Sequence, residues 1–397
     1  MPDPSGTLIQ GARVLLADGT VADTSLLFEA DGTLRVGGTG AAYQIGGTGR
    51  TGDIRRFDAR GLVALPGIVD LHGDAFERQI QPRPGVDFPL PIALRDTEAQ
   101  LLANGITTAM HAVTLSWEPG LRSADTWRAL LDAMDAYRPS MVCDMRIHLR
   151  WEMFNLPALD MALADVAAGR VGLVSFNDHM APILKQMTTP DGVAKFSRRT
   201  GLSPDAFRAL AEQTAAGAPD VPAAAARLAA AAQQRSLPMA SHDDETVEAR
   251  RRYRALSVRI CEFPLTEAVG TEARAAGDAV VMGCPNVLRG GSHLGWASAG
   301  DLAERGICTI LCSDYFYPAM LPAAWALGHR GTLSLSEAWA LVSANAAAAA
   351  GLDDRGSIAD GKRADIVLVD PAGPRVVATF VAGRAGFLSA AGWDRLN

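Results

Sequence analysis

The sequence predicts an α/β protein, a (β/α)8 TIM-like barrel with a small β-sandwich domain built from both chain ends. Three observations predict it. Short apolar runs alternate with amphipathic helical stretches over most of the chain, the pattern of parallel strands joined through helices. Histidines and carboxylates fall at the ends of several of those runs, where a barrel collects its reactive groups. Both chain ends read as β, with the helices between them. A length of 397 residues suits a barrel plus a smaller unit, and 48% hydrophobic against 20% charged residues leaves ample core.

Taken in order, the apolar runs 8–9, 14–16 and 26–28 are separated by Gly/Asp turns and predict several short antiparallel strands. Residues 62–71 are nearly continuously apolar, broken only by Pro66–Gly67, as in a strand buried on both faces. Strands are then expected at 107–114, 144–151, 172–176, 238–241, 279–282 and 308–313, with a further one at 261–263 that is irregular or outside the barrel order. Helices are expected between them, for example at 96–104 and 126–137. Residues 186–236 are too long for one connecting helix and read as a helical insertion. In it Ser203–Pro204–Asp205 signals a helix start, and Pro222 opens an Ala-rich run. After Gly351 strands return at 365–369 and 376–381. The expected division is therefore a small β-domain from 1–64 and 352–397, with the barrel at 65–351.

A net charge of −7 disfavours nucleic acid and anionic membranes as partners, while local arginines leave room for a small anionic substrate. No run approaches the roughly 18 apolar residues of a membrane span. The first residues lack a basic start followed by an apolar core, so no signal peptide is expected. Five scattered cysteines read as reduced thiols in a cytoplasm, with Cys308 and Cys312 as core fillers. A homo-oligomer is compatible with all of this.

The chemistry sits at strand ends. His72 and Asp74 follow the run 68–71, two apart and so on one side of a strand. Glu152, His179, His242 and Asp314 end four later runs. A lone strand-end histidine is more often a hydrogen-bonded core residue, and a lone His-x-Asp is weak; joint placement at five strand ends points to metal. Mixed N/O ligands suit Zn²⁺ first, with Mn²⁺ or Fe²⁺ as alternatives. Six ligands exceed one catalytic zinc, so two divalent ions bridged by Glu152 are expected. His148 reads equally as a neighbour of the ligands or a satisfied core residue. His111 lies mid-strand and could line the pocket floor, and His329 reads as a plain surface or helix residue. Asp243, Asp244 and Glu245 could orient His242, start a helix, or both.

The run 65–70 into His72 resembles the first barrel strand of the amidohydrolase superfamily, and GSIADGKRADIVLVD (356–370) resembles its return into the small β-domain. More narrowly, the chain resembles the α-D-ribose 1-methylphosphonate 5-triphosphate diphosphatase family of the carbon–phosphorus lyase pathway. The likeness rests on HGDAFERQIQPRPGVDFP (72–89), RIHLRWE (146–152), ASHDDET (240–246), GCPNVLRGGSH (283–293) and CSDYFYP (312–318), and extends over nearly the whole chain. The resemblance implies His72 and Asp74 as first-strand ligands, Glu152 in place of a bridging carboxylated lysine, and His179 and His242 on the second metal. It implies Asp314 as last-strand ligand and general base. Its implied reaction is hydrolysis of a ribosyl triphosphate to the 5-phosphate and pyrophosphate.

Two loops depart from the family pattern: Met180–Ala181–Pro182 after His179, and Leu294–Gly295–Trp296 after His293. Both flank the expected mouth and bear on the substrate. A triphosphate needs cations there. Arg83 lies between two stiffening prolines, and Arg289 opens a Gly-rich turn with Ser292 and His293 that suits an anion, although a surface arginine is the plain reading. Lys185 is by default solvated. Two other classes stay open: a C–N hydrolase of the same superfamily (deaminase or cyclic amidase), and a non-catalytic barrel scaffold, which would be expected to have lost ligands.

Overall fold

The computed structural model describes residues 6–37, 54–291 and 298–396. Its strands, in chain order, are β1 (Gly6–Leu15), β2 (Val21–Phe28), β3 (Leu34–Val36), β4 (Ile54–Asp58), β5 (Val63–Pro66), β6 (Ile68–Gly73), β7 (Ile106–Leu115), β8 (Asp144–Glu152), β9 (Leu173–Asn177), β10 (Met239–His242), β11 (Ile260–Glu262), β12 (Ala279–Gly283), β13 (Ile310–Cys312), β14 (Ile366–Asp370), β15 (Arg375–Val381) and β16 (Arg384–Leu388). They form two eight-stranded sheets.

The first sheet runs β16-β15-β14-β5-β1-β2-β3, with β4 also paired to β1. It joins both chain ends, as the sequence predicts. The runs at 8–9 and 14–16 prove to be one long strand, β1, with a register shift between Ile9 and Ala12. Gly11 supplies the shift, at φ 79°. The sheet curls until its β2–β3 hairpin meets the connection before β14, where Leu34 N donates to Lys362 O and Ala364 N to Gly32 O. Its own core includes Ile9, Val14, Phe28, Phe57 and Phe380.

The second sheet is parallel throughout and takes β6 to β13 in sequence order. A bridge between Gly73 and Asp314 closes its first strand against its last. Two expectations are corrected here. The apolar run 62–71 is two strands in two sheets, and Pro66–Gly67 is the crossing point. Gly67 is needed there because a Cβ would lie 2.3 Å from Thr107 Oγ1. The segment 261–263 is not outside the barrel: β11 pairs in parallel with β10 and β12 and is the sixth strand.

Within the barrel, Val69, Leu71, Met110, Leu173, Ala240, Ile260, Val281, Ile310 and Cys312 make one apolar cluster. Strand parity then fixes what stands above it. Two residues beyond Ala240 is His242, and two beyond Ile260 is Glu262. Register aligns them: Arg150 faces Ser175, Ser175 faces Ala240, and Ala240 faces Ile260. The next row is Glu152, Asn177, His242 and Glu262. The segment after β9 folds as the helices Met180–Gln186, Pro190–Thr200, Pro204–Ala215 and Val221–Gln234. Ser203 caps the third, its hydroxyl accepting from Ala206 N. Among the described residues, no helix is long and apolar enough to cross a membrane.

Candidate active site

Glu262 is the centre of the arrangement, and sequence reasoning did not single it out. It is fully buried, and burial pushes its carboxyl above the ordinary range. Oε2 lies 3.2 Å from His72 Nδ1 and 3.4 Å from His242 Nδ1, and Oε1 lies 3.8 Å from His148 Nε2. Ser175 Oγ donates to Oε2 at 3.2 Å. The His72 and His242 rings stack with centroids 5.1 Å apart. Phe263 stands edge-on to both, at 5.0 and 5.2 Å.

A second histidine–carboxylate pair faces this one. His179 Nδ1 lies 2.6 Å from Glu152 Oε1. Its Nε2 lies 3.6 Å from Asp243 Oδ2, which is also 3.8 Å from His242 Nε2. Burial lowers the His179 pKa, but Glu152 and Asp243 outweigh it and raise it to about 9. His72 and His242 are held well below the ordinary value, first by burial and then by Arg150. Asp244, next to Asp243, turns the other way: it accepts from Ser241 Oγ at 2.7 Å and pairs with the buried Arg250 at 3.3 Å. Thr246 caps the following helix.

The chain turns sharply to present these groups. Asp243, Phe263 and Asp314 have φ of 57°, 52° and 55°, in the left-handed region. Backbone bonds hold each turn: Asp243 N donates to Glu262 O, Phe263 N to Val281 O, and Asp314 N to His72 O. Burial, and then Asp74, raise the Asp314 carboxyl to about 7. Asp74 N in turn donates to Asp314 O.

Two triads offer donor atoms within 4.8 Å of one another: His72, His242 and Glu262, and His179, His242 and Asp243. Mixed imidazole and carboxylate donors of this kind fit a divalent transition metal. Among the described residues, His72 Nδ1, His148 Nε2 and Glu262 Oε1 are buried without a hydrogen-bond partner, as a donor set for a cation would leave them. Of the other expected ligands, Glu152 directs Oε1 at His179, Asp74 lies 3.8 Å from Arg150, and Asp314 packs against Gly283; all three stand outside the two triads.

A cavity of about 240 Å³ opens over this site. Asp74, Glu118, Glu152, His179, His242 and Asp243 line it, with the cations Arg122, Arg150, Lys195 and Arg199. Arg150 is buried; Nη2 lies 2.9 Å from His242 Nε2, and the Asn177 amide oxygen accepts from its Nε at 3.1 Å. Arg150 was not among the expected contacts, although it shares strand parity with Glu152; the other three cations come from segments with no strand-end signal.

The expected phosphate contacts fall elsewhere. Arg83 is exposed in a turn bridged to Val86, and Arg289 is exposed at the end of the helix Cys284–Arg289, 3.5 Å from the Tyr315 hydroxyl. Neither lines this cavity, and both are exposed. His111 is not among the residues that line this cavity; it is buried against Phe76, with its pKa lowered by burial to about 4. Lys185 is likewise absent from the lining, while Lys195, ten residues on, is part of it. His329 stacks on Trp325 with centroids 5.0 Å apart. Ser292, His293 and the loop 294–296 lie outside the described residues.

Comparison with known proteins agrees with this architecture. The chain is 33% identical over 318 residues to the α-D-ribose 1-methylphosphonate 5-triphosphate diphosphatase of Escherichia coli (strain K12), covering 78% of this chain and 84% of that one. It is 25% identical over 402 residues to an adenine deaminase of Methylobacterium sp. (strain 4-46), covering 96% of this chain but 58% of the deaminase. Among solved structures, the fold matches a β-aspartyl dipeptidase from Fervidobacterium islandicum AW-1 at a TM-score of 0.64 and 13% identity, over 98% of both chains. A triazine hydrolase variant matches at 0.64 and 15% identity, over 96% of this chain and 94% of that one. A sequence profile of the amidohydrolase family spans residues 63–386, and the chain belongs to that family.

Proposed function

We propose that this amidohydrolase-family hydrolase cleaves a phosphoanhydride in a small phosphorylated metabolite, taking α-D-ribose 1-methylphosphonate 5-triphosphate to the 5-phosphate and pyrophosphate. The observation that carries the reading is the cavity lining. Four cations (Arg122, Arg150, Lys195, Arg199) stand against four carboxylates (Asp74, Glu118, Glu152, Asp243). The two sets balance, so each divalent ion held by the histidines leaves the cavity two charges more positive, which suits a polyphosphate and not a neutral heterocycle. The name of the Escherichia coli relative supports the same substrate class.

His72, His242 and Glu262 would hold one ion and His179, His242 and Asp243 a second, zinc first and manganese or iron next, with Glu152 fixing the ring of His179. Such ions supply Lewis acidity and a lowered pKa for the attacking water. Arg122 and Arg150 bind and orient the phosphates from the cavity wall. Asp314, which burial holds near neutrality, accepts the proton as water adds across the bond between the first and second phosphates and pyrophosphate leaves. The five cysteines, all free and buried, fit a reducing cytoplasm.

The likeness to an adenine deaminase favours a C–N hydrolase as the second reading. Metal-loaded protein offered ribosyl and nucleoside triphosphates, with pyrophosphate release as readout, and adenine, with ammonia release as readout, separates the two. Pyrophosphate is expected. Ammonia without pyrophosphate would sink the phosphoanhydride reading.

A further inference from the structure

Four cations line the cavity, and three of them are matched by a carboxylate. Arg122 holds Glu77 through two bonds, at 3.0 and 2.9 Å. Arg199 bonds to Glu118. Arg150 faces Asp74 at 3.8 Å. Lys195 differs. Its Nζ donates to the neutral Gln186 Oε1 at 3.1 Å and sits over the Phe196 ring at 5.6 Å, with no carboxylate partner among the described residues. An ammonium has three donors, so most of its bonding capacity stays free.

Its position is fixed by the fold. The helix Pro190–Thr200 starts on Thr189, whose Oγ1 accepts from Gly192 N at 3.1 Å. Phe196 anchors it, almost fully buried and stacked on Phe207 at 4.9 Å between centroids. Ile183, Met187, Phe196, Phe207 and Ala211 form a separate core for this part of the chain. Lys195 and Arg199, one turn apart, therefore share the helix face that meets the cavity, and Gln186 lines it beside them. An exposed lysine is ordinarily a solvated charge. This one shares a concave, cation-rich wall with His179, His242 and Asp243, at the outer edge.

We infer that Lys195 is a specificity-determining residue: its ammonium, paired with the Gln186 amide, binds the terminal phosphate of the substrate and so selects polyphosphates over less charged compounds. This rests on the phosphoanhydride reading and adds to it the residue that reads the leaving end.

Inorganic tripolyphosphate is the probe, titrated calorimetrically into the metal-loaded enzyme at several salt concentrations. The parent is expected to bind it, more weakly as salt rises. K195Q should bind about tenfold more weakly, as loss of one charge-assisted contact implies, with a flatter salt dependence. K195R should return to within about threefold of the parent. K195M, which keeps the aliphatic stem over Phe196, should behave like K195Q, and matched melting curves confirm that the helix stays docked. A parent that fails to bind tripolyphosphate would remove the phosphoanhydride reading itself. A parent that binds while K195Q matches it would overturn only the role of Lys195. So would a K195R as weak as K195Q, because charge would then not be what is read.

Discussion

At the scale of single residues, a buried carboxylate among three histidines needs compensation, since an unpaired buried charge is strongly destabilising. Glu262 has the histidines, one serine and the fit for a cation. Glu262→Gln keeps the volume and removes the charge. It should weaken metal binding about ten- to a hundredfold, read by chelator competition, with the fold kept; unchanged affinity would take Glu262 out of the metal centre. The neighbouring test is Gly283, where a Cβ would lie 2.9 Å from Asp314 Oδ2 and 3.3 Å from its Cβ. Gly283→Ala should displace that carboxylate and cost roughly 10²-fold in turnover, as ångström-scale misplacement does, while the melting temperature changes little. Normal turnover would relieve Asp314 of its proton-accepting role. His72, His179 and His242 were legible because histidine is rare in this chain and each ends an apolar run. Glu262 was not, because its strand has three residues and no alternation to read, and a segment read as irregular or outside the barrel order offers no strand end to the site. Lys195 and Arg199 were not, because only the packing of the insertion brings them over the barrel.

At the scale of elements, the barrel is held shut where its first and last strands meet. Asp70 on β6 accepts from Ser313 N at 2.9 Å and Ser313 Oγ at 2.6 Å, just past β13. Both residues are fully buried. Burial raises the Asp70 carboxyl to about 6 even with these bonds, so losing one leaves a buried acceptor short. Ser313→Ala should therefore destabilise the protein by roughly 1–3 kcal/mol, measured by denaturant unfolding. A cost below a few tenths would mean the seam is held by the backbone alone. The order of the eight strands was legible because most barrel strands here are continuous apolar runs between amphipathic helices. The crossing at Pro66–Gly67 was not, since apolarity continues across it and only the packing against Thr107 shows why a glycine stands there. The insertion was legible as helices through Ser203 and Pro222, but its contribution to the cavity depends on tertiary contacts such as Phe196 on Phe207.

At the scale of the whole molecule, the two sheets are tied together on the side of the barrel away from the site. Asp144 opens β8 and lies opposite Thr108 of β7, at the N-terminal ends of both strands. Arg355, on the connection from the barrel back to the first sheet, donates to Thr108 Oγ1 at 2.9 Å and to Asp144 Oδ2 at 2.7 Å. Arg146 pairs with the same carboxylate at 2.8 Å, and Arg363, 3.5 Å away, also holds Asp365 just before β14. Burial alone would raise the Asp144 pKa, but Arg146 and then Arg355 outweigh it and hold the carboxyl at about 2, below the ordinary 3.8. A folded pKa below the unfolded one means stability that is present above about pH 4 and lost as the pH falls toward 2. The difference corresponds to roughly 2 kcal/mol. Asp144→Asn should therefore lower stability at pH 7 by about that amount, since Arg355, itself buried, loses one of its two carboxylate partners and keeps only Asp354. It should also flatten the acid limb: urea midpoints measured from pH 7 to pH 2 should fall less steeply below pH 4 for the variant than for the parent, and the two curves should converge at the acid end. Parallel curves across that range would show that this ion cluster does not couple the sheets. The site lies at the opposite ends of the strands, so turnover at pH 7 should persist in the variant wherever it remains folded.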